Sequence, residues 1–221
     1  MARIARVVAP GFPHHITQRG NRRQQTFFNE EDYHRYIRLM AEWSSRLKVE
    51  VWAYCLMPNH IHLIANPQSE EGLRRAIGET HRRYTQQINL REGWRGHLWQ
   101  GRFTSFPMDE SYLLAAARYV ELNPVRAKLV DRPDAYKWSS AAAHLERRDD
   151  ELVKVSPLLG LVGNWREFLS QAASEDQREE LRRHERTGRP LGADGFVAEL
   201  EKTLGRILHR RKPGPQRKTS N

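Results

Sequence analysis

Cysteine and long apolar runs are the features that this sequence most plainly lacks. Its 221 residues include one cysteine, Cys55, so neither an intramolecular disulfide nor a cysteine-rich zinc site can form. The mean hydropathy is −0.79, and no apolar run approaches the ~18 residues that a membrane-spanning helix needs. The first residues also lack the continuous apolar core of a signal peptide. We therefore expect no membrane association and a reducing, cytoplasmic setting.

Positive charge is what the sequence has in excess. Lysine and arginine number 37 against 27 acidic residues, which gives a net charge of +10. Such a balance favours a polyanionic partner. From residue 202 onward there are seven basic residues and no acid, and residues 209–221 also contain Pro and Gly. We expect a basic flexible tail over 209–221 that contacts phosphates nonspecifically; a merely solubilising terminus is the alternative.

The order of predicted elements is β-α-β-β-α-β, followed by helices. This order predicts an α+β, ferredoxin-like fold, in which two main helices cover one face of an antiparallel sheet. Asn29, Ser69 and Asp109 are the predicted helix N-caps. The predicted elements are a strand at 12–18, a helix from about 30 to 47, strands VEVWAYCLM and HIHLIAN, a helix after Ser69, a strand FTSFPM, a helix SYLLAAARYVEL, a short helix VRAKLV and a helix at 136–146.

The same reading predicts three segments. Residues 1–148 form the main domain, 149–208 form a small helical extension, and 209–221 form the tail. The extension is expected from short helical stretches such as NWREFLSQAA and DGFVAELEKTLGRIL, which Gly and Pro separate.

Two histidines in the run HIHLI are candidate metal ligands. Side chains two apart in a strand leave the same face, so His60 and His62 project together while Ile61 and Leu63 face the other side. Two imidazoles suit an open divalent-metal site that a third ligand completes. Read alone, His-x-His is a weak pattern, and an ordinary surface pair is the commoner explanation.

Tyr119 and Asn123 are the second candidate pair. They are four residues apart on a predicted helix and so share one face. A metal held by His60, His62 and Asn123 would polarise a phosphodiester for attack by the Tyr119 phenol, which is a poor nucleophile below its pKa near ~10. Plainer roles are a core tyrosine and a helix-capping asparagine. Other tyrosines remain available as the nucleophile: Tyr84, Tyr112 and Tyr136.

Five stretches, in order and spacing, closely resemble the REP-associated tyrosine transposases, a group of HUH single-strand DNA transposases with one catalytic tyrosine. They are PHHITQRGNRRQQTFF, YCLMPNHIHLI, LWQGRFTSFPM, YVELNPVRAKLV and YKWSSAAAH. The resemblance covers about residues 3–146, and the part beyond 150 matches more weakly. It implies that His60 and His62 bind the metal, that Tyr119 is the nucleophile and that Asn123 is a further ligand.

The resemblance further implies the reaction and its partners. A Mg²⁺- or Mn²⁺-dependent enzyme would nick single-stranded DNA at a hairpin, form a 5′-phosphotyrosine, and later rejoin strands through a 3′-OH. Related enzymes include monomers and homodimers. A catalytically inactive hairpin-binding protein is the alternative. A metallohydrolase unrelated to DNA lacks support, since no acidic cluster lies near HIH in the sequence.

Candidate DNA contacts are basic or aromatic. The arginines would bind the backbone and the tryptophan would stack on bases, although solvated arginines and a core tryptophan are the plainer expectation. The candidates are Arg19, Arg22, Arg23, Arg74, Arg75, Arg82, Arg83, Arg95 and Trp99.

Overall fold

A computed structural model describes residues 4–171 and 174–209 of the chain. Four strands form one antiparallel sheet in the order β2-β3-β1-β4. The fold is α+β with a four-stranded antiparallel sheet, as the sequence predicts. The strands are β1 (His14–Arg19), β2 (Val49–Met57), β3 (His60–Pro67) and β4 (Thr104–Pro107).

One face of the sheet is apolar and lies beneath α1 (Glu30–Arg46) and α2 (Gly72–Glu92). The two helices place Tyr36 and Tyr84, both fully buried, over the side chains of Ile16, Ile61 and Leu63. Leu73, Ile77, Tyr84 and Ile88 form the buried stripe of α2 at helical spacing. This layer is the main hydrophobic core of the molecule.

The other face of the sheet is covered by α3 (Glu110–Glu121) and by helices that follow it. Phe106 of β4 and Ile64 of β3 pack there against Ala116 and Val120 of α3. The later helices are α4 (Asn123–Arg126), α5 (Ala141–Glu146), α6 (Ser156–Leu159), α7 (Trp165–Ser170), α8 (Glu175–Thr187) and α9 (Asp194–Leu204).

The predicted extension packs into the same interior. Trp165 of α7 and Leu181 of α8 belong to the hydrophobic cluster that contains Phe106 and α3. Helix α9 packs Val197 and Leu200 on the N-terminal segment through Val7. A domain boundary near residue 148 remains a prediction. The predicted tail over 209–221 lies outside the described residues, His209 excepted.

Two of the three predicted N-caps are present in the structure, and the third is not. The side chains of Asn29 and Asp109 accept hydrogen bonds from backbone N–H groups of the first turns of α1 and α3, which confirms both N-caps. The Ser69 cap is wrong, because α2 begins at Gly72 and the Ser69 carbonyl accepts from its N–H. The helix predicted over 136–146 forms only over Ala141–Glu146.

The start of α5 lacks a side-chain cap because of a contact that is distant in sequence. The Ser140 hydroxyl does not cap the helix, since it donates to the buried carboxylate of Glu121 instead.

The short helix predicted after Pro124 covers Asn123–Arg126 and ends before Lys128, which adopts a left-handed φ of 57°. No helix among the described residues is long and apolar enough to cross a bilayer.

Candidate active site

Strand alternation places the two histidines of β3 on one side of the sheet. His60 and His62 share a face, with ring centroids 5.1 Å apart, while Ile61 and Leu63 enter the apolar core beneath α1 and α2. His62 is buried and His60 is partly exposed. The hairpin thus presents both imidazoles on the face that carries α3.

A third histidine on this face was missed by the sequence analysis. His15 of β1 pairs with Ile64 of β3, so its side chain leaves the same face as that of His62. The two rings are stacked 5.4 Å apart, and His15 Nε2 lies 3.2 Å from His62 Nδ1. His15 is fully buried. The signal that could have found it is the pairing register of β1 with β3, which the sequence alone does not provide.

Helix α3 brings Tyr119 to the histidines. The phenol ring lies 5.5 Å from the ring of His62 and 6.1 Å from that of His15, edge to face in both cases. Tyr119 is 8% exposed. Asn123 is buried one turn later at the start of α4, but no hydrogen bond between described residues joins its amide to His60 or His62.

The other tyrosines lie elsewhere. The Tyr84 hydroxyl donates to the carbonyl of Thr26 in the main core, and the Tyr136 hydroxyl donates to the carbonyl of Leu56. Tyr112 lines a separate pocket beside α8 and α9. Tyr119 is therefore the tyrosine that the fold places against His62.

Two cations surround the phenol of Tyr119. The guanidinium of Arg126 stacks over its ring at 4.2 Å and donates to its backbone carbonyl. The positive charge of Arg182 on α8 also acts on the phenol. Burial and the nearby Glu185 raise the pKa of Tyr119, whereas Arg126 and Arg182 counteract this effect. The cations therefore ease deprotonation of a group whose burial opposes it.

Glu185 of α8 is a further residue that the sequence analysis missed. Its Oε1 lies 3.8 Å from His15 Nδ1 and 3.9 Å from His62 Nδ1. One ligand atom from each of these three residues lies within 4.8 Å of the others. Burial raises the pKa of Glu185 to about 7, against the opposing effect of nearby arginines. Glu185 lies far from His62 in the chain, so no local sequence pattern indicated that the two residues are neighbours.

The histidines of this face are neutral at pH 7. Burial lowers the pKa of His15 to about 3 and, together with Arg19, lowers that of His60 to about 4. Burial and the neighbouring histidines hold the pKa of His62 well below its ordinary value. Neutral imidazoles keep a lone pair for a metal ion at physiological pH, so the donor chemistry of this cluster fits a divalent cation.

A pocket of about 410 Å³ opens beside the histidines. Its lining includes His60 and His62, the arginines Arg19, Arg102 and Arg186, and one acid, Glu185. Glu185 and Arg186 come from α8, so the extension forms one wall of the pocket. A cavity with this excess of cations suits an anionic ligand.

The candidate DNA contacts are spread over several surfaces. Arg19 lines the pocket at the histidines, whereas Arg22, Arg23 and Arg95 are exposed on loops. The arginines of α2 are exposed and several pair with nearby glutamates. Arg74 pairs with Glu71, the residue before the helix, and Arg82 and Arg83 pair with Glu79 within it. Arg75 is also exposed on α2. Their roles in DNA binding remain proposals.

Trp99 requires a correction. It is buried and stacks on His81 with ring centroids 4.5 Å apart. Phe27 and Tyr36 also contact it within the main core. Because its ring is already packed, we assign Trp99 to the core and no longer to base stacking.

Comparison with known proteins places this site in a family. The family model described as "Transposase IS200 like" matches residues 11–123, which span β1 to Asn123 and include His15, His60, His62 and Tyr119. The chain belongs to the IS200-like transposase family. Membership makes it a transposase-type, DNA-cleaving enzyme, and such transposases generally use a divalent metal. Among curated proteins, none matches this transposase.

A solved structure shows the same fold, and a second solved structure is less similar. A REP-associated tyrosine transposase bound to a REP hairpin superposes with a TM-score of 0.58 at 19% identity, covering 66% of this chain and 87% of that one. A candidate transposase from Deinococcus radiodurans R1 has a TM-score of 0.39 at 18% identity, covering 54% of this chain and 95% of that one. The first similarity confirms the sequence-based expectation of a REP-associated tyrosine transposase fold.

Proposed function

We propose that this transposase nicks and rejoins single-stranded DNA at hairpin sequences through a covalent 5′-phosphotyrosine on Tyr119. The observation that carries the proposal is the contact of Tyr119 with His62 on the face of the sheet that α3 covers, with 5.5 Å between ring centroids. A nucleophile, two neutral histidines and a cationic pocket meet there. The REP hairpin bound by the structural neighbour supports a hairpin as the DNA partner.

The covalent step is a balanced exchange of phosphate esters. The Tyr119 oxygen bonds to the scissile phosphorus while the bond from phosphorus to the 3′ oxygen breaks. The phenol gives up its proton and the departing 3′ oxygen gains one, which leaves a free 3′-OH. A later attack by a 3′-OH on the phosphotyrosine reverses these changes and rejoins the strands. Because the ester bond is conserved, no nucleotide cofactor is required.

Arg126 and Arg182 support the nucleophile in this scheme. Their positive charges favour the phenolate form of Tyr119 over the phenol, and the stacked guanidinium of Arg126 fixes the ring. Arg19, Arg102 and Arg186 line the adjoining pocket and would neutralise the phosphates of the bound strand. Arg22, Arg23, Arg74, Arg75, Arg82, Arg83 and Arg95 are proposed as further backbone contacts.

A divalent ion, Mg²⁺ or Mn²⁺, completes the proposal. His60, His62 and Asn123 are the proposed ligands, and both histidines are neutral and line the pocket. When bound, the ion would supply Lewis-acid polarisation of the scissile phosphate. We propose that the enzyme acts in the cytoplasm, in line with its single, reduced cysteine.

The decisive experiment detects the covalent intermediate. Labelled single-stranded hairpin DNA is incubated with Mn²⁺ and with wild type, Tyr119→Phe or Tyr112→Phe, and adducts are separated on denaturing gels. Tyr112 lies on the same helix but lines a different pocket, so its variant is the matched control. We expect adducts with wild type and Tyr112→Phe and none with Tyr119→Phe.

Two other results would contradict the proposal. An adduct that persists in Tyr119→Phe would exclude Tyr119 as the nucleophile. Hairpin binding without any adduct would favour the alternative of a catalytically inactive binding protein. His60→Ala and His62→Ala are expected to abolish cleavage while hairpin binding, measured by gel shift, remains.

A further inference from the structure

Glu185 belongs to the small helical extension that the sequence predicts over 149–208. Its carboxylate nevertheless reaches the face of the sheet that α3 covers. Helix α8 spans Glu175–Thr187 and contacts both α3 and β4. From there Glu185 approaches His15 and His62 to 3.8 and 3.9 Å. The carboxylate therefore lies in the centre of the candidate site.

Two buried atoms of this cluster have no hydrogen-bond partner. Glu185 Oε1 is buried without a donor, and so is His15 Nδ1. A buried polar atom that lacks a hydrogen-bond partner is unfavourable. A cation bound between these atoms would offset that cost.

Charge supports the same interpretation. The pocket lining contains three arginines and one acid, Glu185. A divalent cation in such surroundings is repelled unless an anionic ligand coordinates it. The amide of Asn123 cannot supply that charge, whereas Glu185 can. Imidazole and carboxylate together form a donor set that suits Mn²⁺ and Mg²⁺.

We propose that the Glu185 carboxylate is a ligand of the divalent metal ion and binds it together with His62 and His15. This inference rests on the proposed function for the divalent ion and for its histidine ligands; it puts Glu185 in the place given there to Asn123 and adds His15. Neighbouring ligands around such an ion lie roughly 3 Å apart at bond lengths of ~2.1 Å. Glu185 Oε1 lies 3.8 and 3.9 Å from the Nδ1 atoms of His15 and His62, so a small movement of Glu185 brings it to that spacing from both nitrogens. Metal binding through His62 Nδ1 would replace the 3.2 Å hydrogen bond between this atom and His15 Nε2.

The test is metal binding by the full-length protein without DNA. Mn²⁺ is titrated into wild type, Glu185→Gln and Glu185→Ala, and free Mn²⁺ is followed by electron paramagnetic resonance. Glu179→Gln is the matched control, since Glu179 is an exposed acid of the same helix. We expect at least a tenfold higher dissociation constant for both Glu185 variants and no change for Glu179→Gln. Wild-type affinity in Glu185→Gln and Glu185→Ala would overturn the proposal.

A second measurement identifies the other ligands. Electron spin echo modulation of bound Mn²⁺ counts coordinated imidazole nitrogens, and we expect His15→Gln to remove one. Circular dichroism checks that this buried variant folds, and the Glu185 variants decide the question if it does not. Weaker binding in Asn123→Ala, with unchanged binding in both Glu185 variants, would assign the third ligand to Asn123 and overturn the inference.

Failure of this inference and failure of the proposed function are distinguishable. Wild type that forms DNA adducts while the Glu185 variants bind Mn²⁺ normally refutes the Glu185 ligand and retains the nickase. Wild type that binds Mn²⁺ through Glu185 but forms no adduct supports the ligand and refutes the nickase.

Discussion

Two glutamates of this molecule each lie beside a histidine, and they differ in how their oxygens are satisfied. Glu121 is fully buried, and its carboxylate accepts hydrogen bonds from Ser140, His144 and Trp165 at 2.6, 2.7 and 2.8 Å. Glu185 leaves Oε1 without a donor, and its side chain is 22% exposed. The first carboxylate joins α3 to α5 and α7. The second is held beside a pocket and remains available to a ligand.

The difference separates a residue that maintains the fold from one that we propose binds a metal ion. Three donors, two from α5 and the residue before it and one from α7, fix Glu121 in one position, so its carboxylate is stabilised within the protein. Glu185 is destabilised where it lies, which is the usual condition of a functional group before its ligand binds. The following predictions test this contrast, beginning with the largest effect.

Replacement of Glu121 by Gln should destabilise the protein by about 3 kcal/mol, because an amide nitrogen would then face donors that need an acceptor. Urea denaturation measures the free energy of unfolding. Glu185→Gln at pH 7 is the matched comparison and should lose no stability. Equal losses in the two variants would remove the distinction between the carboxylates.

Glu185→Gln should be more stable than wild type at pH 8 in metal-free buffer, by about 3 kcal/mol. The folded-state pKa of Glu185 is about 7 against an ordinary 4.5, and each pKa unit corresponds to about 1.4 kcal/mol. The stability that the protonated carboxyl contributes is fully present below pH 4.5 and is lost as the pH rises through 7. Thermal unfolding at pH 5 and pH 8 measures the effect, which should fall to about 1 kcal/mol or less at pH 5; an equal gain at both pH values would contradict it.

Trp165→Phe should cost about 1.5 kcal/mol, since it removes one hydrogen bond to the Glu121 carboxylate while retaining an aromatic ring. Trp43→Phe is the control, because the buried Trp43 Nε1 has no hydrogen-bond partner to lose. Chemical denaturation of both variants gives the difference. Similar losses would show that packing alone, and not the bond to Glu121, accounts for the cost.

His81 of α2 is buried in the main core. Its protonation should lower the free energy of unfolding by about 1.4 kcal/mol for each pH unit below pH 6.5. Burial lowers its folded-state pKa to about 3. Its stability is therefore present above pH 6.5 and is lost as the pH falls toward 3. The free energy of unfolding of His81→Gln, measured from pH 7 to pH 5, should decline less steeply than that of wild type. Parallel declines would show that His81 becomes protonated without unfolding the protein.

Local sequence patterns predicted the sheet and the first half of the site. The alternation of HIHLI and the caps at Asn29 and Asp109 depend only on neighbouring residues, and the structure has all three. Ser69 failed as a cap because the chain makes one further turn before α2 begins. Ser140 does not cap α5, because its hydroxyl binds Glu121, a contact 19 residues away in sequence.

The rest of the site depends on long-range packing. His15 needs the register of β1 on β3, and Glu185 needs the position of a helix more than a hundred residues beyond His62. The charged sequence of α8 is typical of a solvated helix. The sequence showed no acid near HIH, and the carboxylate on this face comes from the far end of the chain.

The ribosome synthesises the chain from its N-terminus, so α8 is made after the strands and α3. The histidines of β1 and β3 and the proposed nucleophile Tyr119 are synthesised well before Glu185 and Arg182. A nascent chain that has just completed α3 therefore has Tyr119 but lacks the residues of α8 that surround it. Synthesis of the final helices is thus the step that completes the surroundings of Tyr119, and a product truncated before α8 would present an unfinished site to any DNA it met.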